Sequence, residues 1–479
     1  MSKENAKALK TPVEIIKTIS RMGWGTITRH PLAGVKARMR RAEGQFLLNW
    51  TNPGQLEPRL QPDKEYQDLS FDFKGHSLIL EAIYSDSEVI ARQKGVRTTE
   101  HVDFFHTSGF NKKTPYRFRL ILPLDRKMSF IFQLSRKTFT DDFDRGYANG
   151  TRVIINGDEL KVGVFHDDSK KDYLTIESQE NQSFDIFSNK AHAAINGLGF
   201  LTGYLAGNAG WYFAYDNNDL ASPAHFYHTP IRKSIYTPYT PVNTNPHTWI
   251  RDRNEADRLF DLKFLQPVSI KVFSNLCQKL YDSVDFSSAV LLILEAGAAS
   301  LIFRPGGYAI VLETLADLII GEEKAKAPMN KALSKTVREK LTDVINSECK
   351  DIPEENRNIL LGKINQINQV TNKSRLRIPF DELGLLLNEK DLELIATRND
   401  FLHGRIPDLT NSGIERPDWR KNKDLFYASV RFYTLLSRLI LAWVGYDNYI
   451  LNHAKIQEKY TRILLEEDYY IQALTIEAS

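Results

Sequence analysis

The spacing of apolar positions changes near the middle of the chain. Between Phe46 and Phe187 the apolar runs are short and rich in β-branched and aromatic residues: HSLILEAIY, PYRFRLILPL, MSFIFQL, TRVIIN, KVGVF and DYLTIES. Runs of this length and composition predict strands. Turn signals fall among them, ANG at 148–150 and NGD at 156–158, and no helix-length segments alternate with them as a parallel sheet requires. An antiparallel sheet is the expectation. From about Asp261 onward the apolar spacing is that of helices almost to the end. The tract from Ser222 to His247, with Pro223, Pro230, Pro238, Pro241 and Pro246, reads as a boundary or linker. The expected fold class is therefore α+β, with a strand-rich antiparallel domain over residues 1–250 and an all-α helical bundle over 251–479.

One segment of the helical half carries unusual polar residues. In NEKDLELIATRNDFLHG, Asn388 suits an N-cap, Asp391 falls in the first turn, and Gly404 suits the position just past the last helical residue. The helix expected is about 389–403. At roughly 100° per residue, Lys390, Glu393, Thr397 and Asp400 form a polar arc, while Arg398, Asn399 and His403 fall among Leu392, Leu394, Ile395, Ala396, Phe401 and Leu402. Polar groups on a buried face must be hydrogen-bonded, because an unsatisfied one costs about 1–3 kcal/mol. Of the 11 histidines, only His403 has an arginine five, six or seven residues before it, and that pair lies where a helix ends in glycine.

Length and composition frame this picture. With 479 residues, 42% of them hydrophobic, the chain is long enough for more than one core. A net charge of +3 argues against a protein that coats nucleic acid along its whole length, so any polyanion site must be local. Basic residues do gather early: Lys3, Lys7, Lys10, Lys17, Arg21, Arg29, Lys36, Arg38, Arg40 and Arg41 face only Glu4, Glu14 and Glu43 up to that point. A solvated helical arm is the preferred reading over an RNA-binding one. Two cysteines, Cys277 and Cys349, exclude a disulfide framework and a cysteine-based zinc site, which fits a reducing cytoplasm. No secretory signal is visible at the N-terminus, and AVLLILEAGAASLIF (289–303), which carries Glu295, is too short to cross a membrane.

Other motifs are weaker. GLGFLTG (197–203) has one residue too many for a dinucleotide fingerprint and reads as close packing. HFYH, with His225 and His228, has metal-site spacing but no third ligand nearby, and reads as a loop with two ordinary histidines. DDFDRGYANG (141–150) lacks the closing glutamate of a calcium loop and reads as a polar turn.

The run R-N-x-x-x-H-G, followed by a loop and the long apolar helix DLFYASVRFYTLLSRLILAWV, resembles the R-x4-6-H signature of HEPN ribonucleases. Upstream, LLILEAGAASLIF and YAIVLETLADLI, the latter carrying Glu313, resemble the preceding helices of HEPN domains of the ApeA type, found in bacterial anti-phage defence. The likeness covers about residues 262–479. More loosely, the first half, closing with FLTGYLAGNAGWYFAY, is similar to the region that accompanies such domains, where a sensor for a phage-derived trigger is implied.

The resemblance implies a cytoplasmic, metal-independent and cofactor-free endoribonuclease of abortive infection, in which the ribose 2′-hydroxyl attacks the adjacent phosphate. It implies Arg398 and His403 as catalytic, with Asn399, Asp400 and Glu313 in support, RNA as substrate, and a homodimer or higher homo-oligomer with no membrane partner. The residue chemistry suits the task. Histidine exchanges protons near neutral pH, and arginine offers a fixed cation to a phosphate gaining charge. Arg398 and His403 stand roughly 140° apart on one helix, which favours a site shared by two copies. The alternative is a HEPN-type module that binds nucleic acid or protein without cutting.

Overall fold

The computed structural model describes residues 3–28, 32–42, 45–53, 68–90, 95–128, 134, 147–217, 220, 222–262, 265–321, 328–368, 371–409 and 417–473. It divides into two compact units, Met1–Ala298 and Ala299–Ser479. The class is α+β, with antiparallel strands first and helices after.

Helix α1 (Lys3–Ser20) precedes six strands: β1 (Gly23–Ile27), β2 (Lys36–Ala42), β3 (Gln45–Pro53), β4 (Leu69–Phe73), β5 (His76–Ile90) and β6 (Gly95–Thr107). They pair in the order β3-β2-β1-β4-β5-β6, and β3 also pairs with β6, so the six close into an antiparallel barrel. Closure satisfies both edges. In β2, Ala37 and Met39 point into the core while Lys36, Arg38 and Arg40 point out, the two-residue period of a strand with one wet face. The early basic run is thus not a solvated helical arm. Leu9, Val13, Ile16 and Ile19 of α1 are buried in the barrel's core cluster, and its later cations lie on β2.

Four further strands follow, β7 (Arg117–Pro123), β8 (Tyr147–Ile155), β9 (Asp158–His166) and β10 (Asp172–Ser178), then helix α2 (Phe184–Thr202), then β11 (Tyr204–Leu205), β12 (Ala209–Tyr215), β13 (His225–Pro230) and β14 (Ile235–Tyr236). From β6 the sheet runs on as β13-β12-β7-β10-β9-β8. Every residue of β12 is buried, because its two faces meet different cores. Tyr212 faces Phe184 and Phe187 of α2, and Trp211, Phe213 and Tyr215 join the barrel cluster.

Most expected strands are present, with informative exceptions. NGD is a hairpin turn, with Asn156 at φ 52° and Gly157 at φ 82° between paired Ile155 and Asp158, as a two-residue hairpin demands. ANG lies inside β8, where the register shifts between Tyr147 and Asn149. MSFIFQL falls outside the described residues except Met128 and Leu134, as does Asp141–Gly146 of the polar turn. The GLGFLTG segment is close packing: a Cβ on Gly197 would lie 2.8 Å from Cys277 Sγ, and Gly203 ends α2 at φ 70° with the Thr237 carbonyl 2.5 Å from its own Cβ site.

Two readings need correction. The proline-rich tract is not a linker: it contains β13 and β14, and Tyr239 through Asn243 are buried. The division between compact units falls later than 250/251. Helices α3 (Arg253–Asp261), α4 (Ile270–Asp282) and α5 (Val284–Ala298) belong to the first unit, since α4 packs on β8 and α2, and α2 also covers α5. Ser274 and Gln278 of α4 accept hydrogen bonds from the Ile154 and Asn156 amides, and Asn196 of α2 donates to Ser287 of α5 at 2.9 Å.

The second unit comprises α6 (Arg304–Ile320), α7 (Lys331–Glu348), α8 (Glu354–Asn365), α9 (Asn372–Glu382), α10 (Glu389–Leu402), α11 (Asp418–Trp443), β15 (Tyr449–Leu451), α12 (His453–Ile456), α13 (Glu458–Thr461) and β16 (Tyr470–Gln472). Helix α11 is the axis: it is buried almost throughout from Asp424 to Ala442, with α6 and α10 against it. Among the described residues it is the one helix long and apolar enough to cross a membrane, and 94% of its apolar window is buried inside the protein, as expected of a core helix.

His228 is neither in a loop nor ordinary. It lies on β13 at 1% exposure, stacked on Phe105 and edged by Phe46 and Trp211, with neither ring nitrogen hydrogen-bonded. Burial, helped by nearby Arg41, pushes its pKa down to about 3. The folded state thus holds the neutral ring, whereas the unfolded chain takes up a proton near the ordinary value of about 6.5. Stability should fall as pH drops from there toward 3, by up to about 1.4 kcal/mol per pH unit. In His228→Phe that component should vanish and stability at neutral pH should rise, read by denaturant melts from pH 7 to pH 4.

Candidate active site

The polar cluster is built on α10. Asn388 caps its start, accepting from the Asp391 amide at 3.0 Å while the Asp391 carboxylate accepts from the Asn388 amide at 3.1 Å. This reciprocal capping fixes the N-terminus. At the other end His403 is the C-cap and Gly404 turns left-handed at φ 70°. The Gly404 amide then bonds the Phe401 carbonyl at 3.1 Å and the Arg405 amide the Asp400 carbonyl at 2.7 Å. Both bonds belong to the Schellman arrangement that a glycine permits.

The buried face of α10 is Asp391, Leu394, Ile395, Arg398 and Phe401. Phe401 meets Phe432 of α11 edge-on at 5.9 Å, and its carbonyl lies 3.3 Å from where a Cβ on Gly306 of α6 would stand. Arg398, 3% exposed, donates from Nε to Glu313 Oε1 of α6 at 2.9 Å. The resemblance implied Glu313 in support of Arg398, and the two are hydrogen-bonded.

Asn399 and His403 differ from expectation. Both are exposed, and Asp400 is half-buried with Arg405 3.8 Å from its carboxylate. One residue step of about 100° carries Asn399 off the buried stripe, and His403 lies further round. Among the described residues no hydrogen bond joins Arg398 to His403. The pair is therefore split: a cation held inside by a carboxylate, and an imidazole at the surface one turn on. The apolar arc around Arg398 is covered within the chain by α6 and α11.

A second polar centre, at the start of α10, was not anticipated. Arg431 of α11, 2% exposed, donates from Nε to Asp391 Oδ1 at 2.7 Å, from Nη1 to both Glu467 oxygens at 2.6 and 2.7 Å, and from Nη2 to Asn388 Oδ1 at 2.9 Å. Asn388 and Asn452 each donate to Glu467 at 2.8 Å. Arg438, two turns along α11, bonds the Leu386 and Gln472 carbonyls. Asn388, Asp391, Arg431, Arg438 and Glu467 line a cleft of about 380 Å³. Burial pushes the Asp391 carboxyl up. Burial also acts to raise Glu467, but Arg431 and the hydrogen bonds from Arg431, Asn452 and Asn388 outweigh it and hold that carboxyl down. The signal was available in sequence: Arg431 and Arg438 stand seven residues apart on one face of a run that is otherwise nearly all apolar.

The chain matches no protein-family model, no curated protein and no solved structure.

Two mutational contrasts follow from burial. Arg431→Ala leaves the buried Asp391 and the partly buried Glu467 carboxylates without their cation and should cost about 3–5 kcal/mol in denaturant unfolding. Arg398→Ala should cost less, about 1–3 kcal/mol, because its partner Glu313 has a side chain 38% exposed and can hydrate. His403→Ala, at the surface, should stay within about 0.5 kcal/mol of wild type.

Proposed function

We propose that the chain is a HEPN-type endoribonuclease of the ApeA-like class, acting in the cytoplasm against phage, with His403 exchanging the proton of a ribose 2′-hydroxyl or leaving oxygen and Arg398 steadying the phosphate. The observation that carries the reading is the placement of the R-x4-H pair: the histidine stands exposed at a glycine-capped helix end, one turn beyond an arginine anchored by Glu313. An exposed imidazole reaches a polymer, and an arginine already bonded to a carboxylate is held in one orientation, as a charge-stabilising group requires. Asn399 is exposed, and its amide can donate to a phosphate oxygen. The angular separation of Arg398 and His403 supports a site completed by a second copy through the exposed side of the end of α10.

The 3% exposure of Arg398 favours the second reading, a HEPN-type module that binds nucleic acid or a partner without cutting. One experiment separates them. Purified protein is incubated with total RNA and the ends are sequenced. Cleavage by wild type, reduced at least about 100-fold in His403→Ala with unchanged melting, supports the nuclease. Equal cleavage by both removes His403 from the chemistry and overturns it. EDTA should not slow the reaction, because acid–base exchange by histidine and charge stabilisation by arginine need no metal. Light scattering at micromolar concentration should show at least a dimer, and a monomer cleaving at full rate would remove the shared site.

A further inference from the structure

We infer that the outer face of the barrel at β1 and β2 is a binding surface for single-stranded nucleic acid. Lys36, Arg38 and Arg40 occupy alternate positions of β2 and all three are exposed. Strand geometry spaces them about 6.8 Å apart in a straight line, comparable to successive phosphates of an extended strand. Across the ladder, Arg38 pairs in register with Trp24 of β1 on one side and Asn49 of β3 on the other. Trp24 is 66% exposed, with its ring on the same outer face.

Local structure fixes that presentation. Gly23 and Gly25 flank the tryptophan, and a Cβ on Gly25 would lie 2.4 Å from the Phe71 ring and 2.5 Å from the Asp72 carbonyl of β4. Only glycine lets β1 lie so close to β4 there, and the strand alternation sends Trp24 outward. Among the described residues no carboxylate pairs with Lys36, Arg38 or Arg40. Lys36 bonds Thr26 Oγ1 at 2.6 Å, and Asp72, outward on β4, accepts from Ser77 Oγ at 2.8 Å.

A row of cations alone would suit any polyanion, including an acidic protein. An exposed indole level with the middle cation is what a nucleobase uses. Proteins that take single strands without sequence preference combine a cationic track with an aromatic platform on which bases stack, and a duplex keeps its bases out of reach of such a platform. This surface belongs to the first compact unit and Arg398 and His403 to the second, and its ligand is the substrate class of the proposed nuclease. The inference stands on the barrel face itself and survives if the nuclease reading fails.

The test uses full-length His403→Ala protein, so that the probe stays intact, and fluorescence anisotropy with a labelled 20-nucleotide single-stranded RNA, the matching DNA, and the RNA duplex at several salt concentrations. Both single strands should bind more tightly than the duplex, because the face reads phosphate and base stacking. Arg38→Gln/Arg40→Gln should weaken single-strand binding at least tenfold and reduce the slope of log K against log salt by about 1.4, the loss of two phosphate contacts. Trp24→Ala should weaken it at least about fivefold, with little change in slope. Lys335→Gln/Lys340→Gln, on exposed positions of α7, is the control and should bind as the parent does. Binding unchanged by the β2 and Trp24 variants, tighter binding to duplex, or failure to bind RNA while binding polyglutamate would each overturn the proposal. Loss of cleavage in wild type with retained binding would instead count against the nuclease reading alone.

Discussion

Arg431 sits in the middle of α11 at 2% exposure and holds four groups from three separate stretches of the second unit: Asn388 and Asp391 at the start of α10, Glu467 before the last strand, and, through Glu467, Asn452. A guanidinium buried this deeply is tolerated only where several oxygens replace its water. Those oxygens sit on stretches far apart in the chain, so satisfying one cation ties the start of α10 and the C-terminal segment to α11. Because α10 is a rigid rod, its far end, with Arg398 and His403, inherits that placement.

The barrel of the first unit rests on closure. A six-stranded sheet whose first and last strands pair leaves no edge, and its interior is filled by aromatic side chains and the apolar stripe of α1. The same closure leaves alternate positions of β2 facing away from the core. On β2 that side is cationic, so one short strand contributes both core and charged surface. His228 shows the cost of filling such a core with a titratable ring: stacked among aromatics with no partner for either nitrogen, it packs well only while neutral.

The two ends of α10 are chemically opposed. At its start the charges are buried, multiply bonded and fixed, which suits a structural joint. At its end the imidazole is open to solvent and the buried arginine has a carboxylate partner that is itself partly exposed. Spacing of residue types alone does not distinguish these cases, because both ends place arginine beside acids and amides.

What the sequence by itself determined was local. Period and β-branching marked the strands of the first half, and Asn388, Asp391 and Gly404 marked the limits of α10 because caps and turns depend on neighbours within a few residues. The R-x4-H pair was also readable, while its company with Glu313 was implied only by the resemblance. Tertiary structure decided the rest. Which side of α10 is buried depends on α6 and α11, and so Asn399 and His403 moved to the surface while Arg398 stayed inside. The proline-rich tract became packed structure because the end of α2 and the β12–β13 hairpin offer it a surface, and α4 and α5 joined the strands because β8 and α2 offer them one. Barrel closure and the partners of Arg431 join residues far apart in the chain, and pairing of this kind is not written in the local pattern of a sequence.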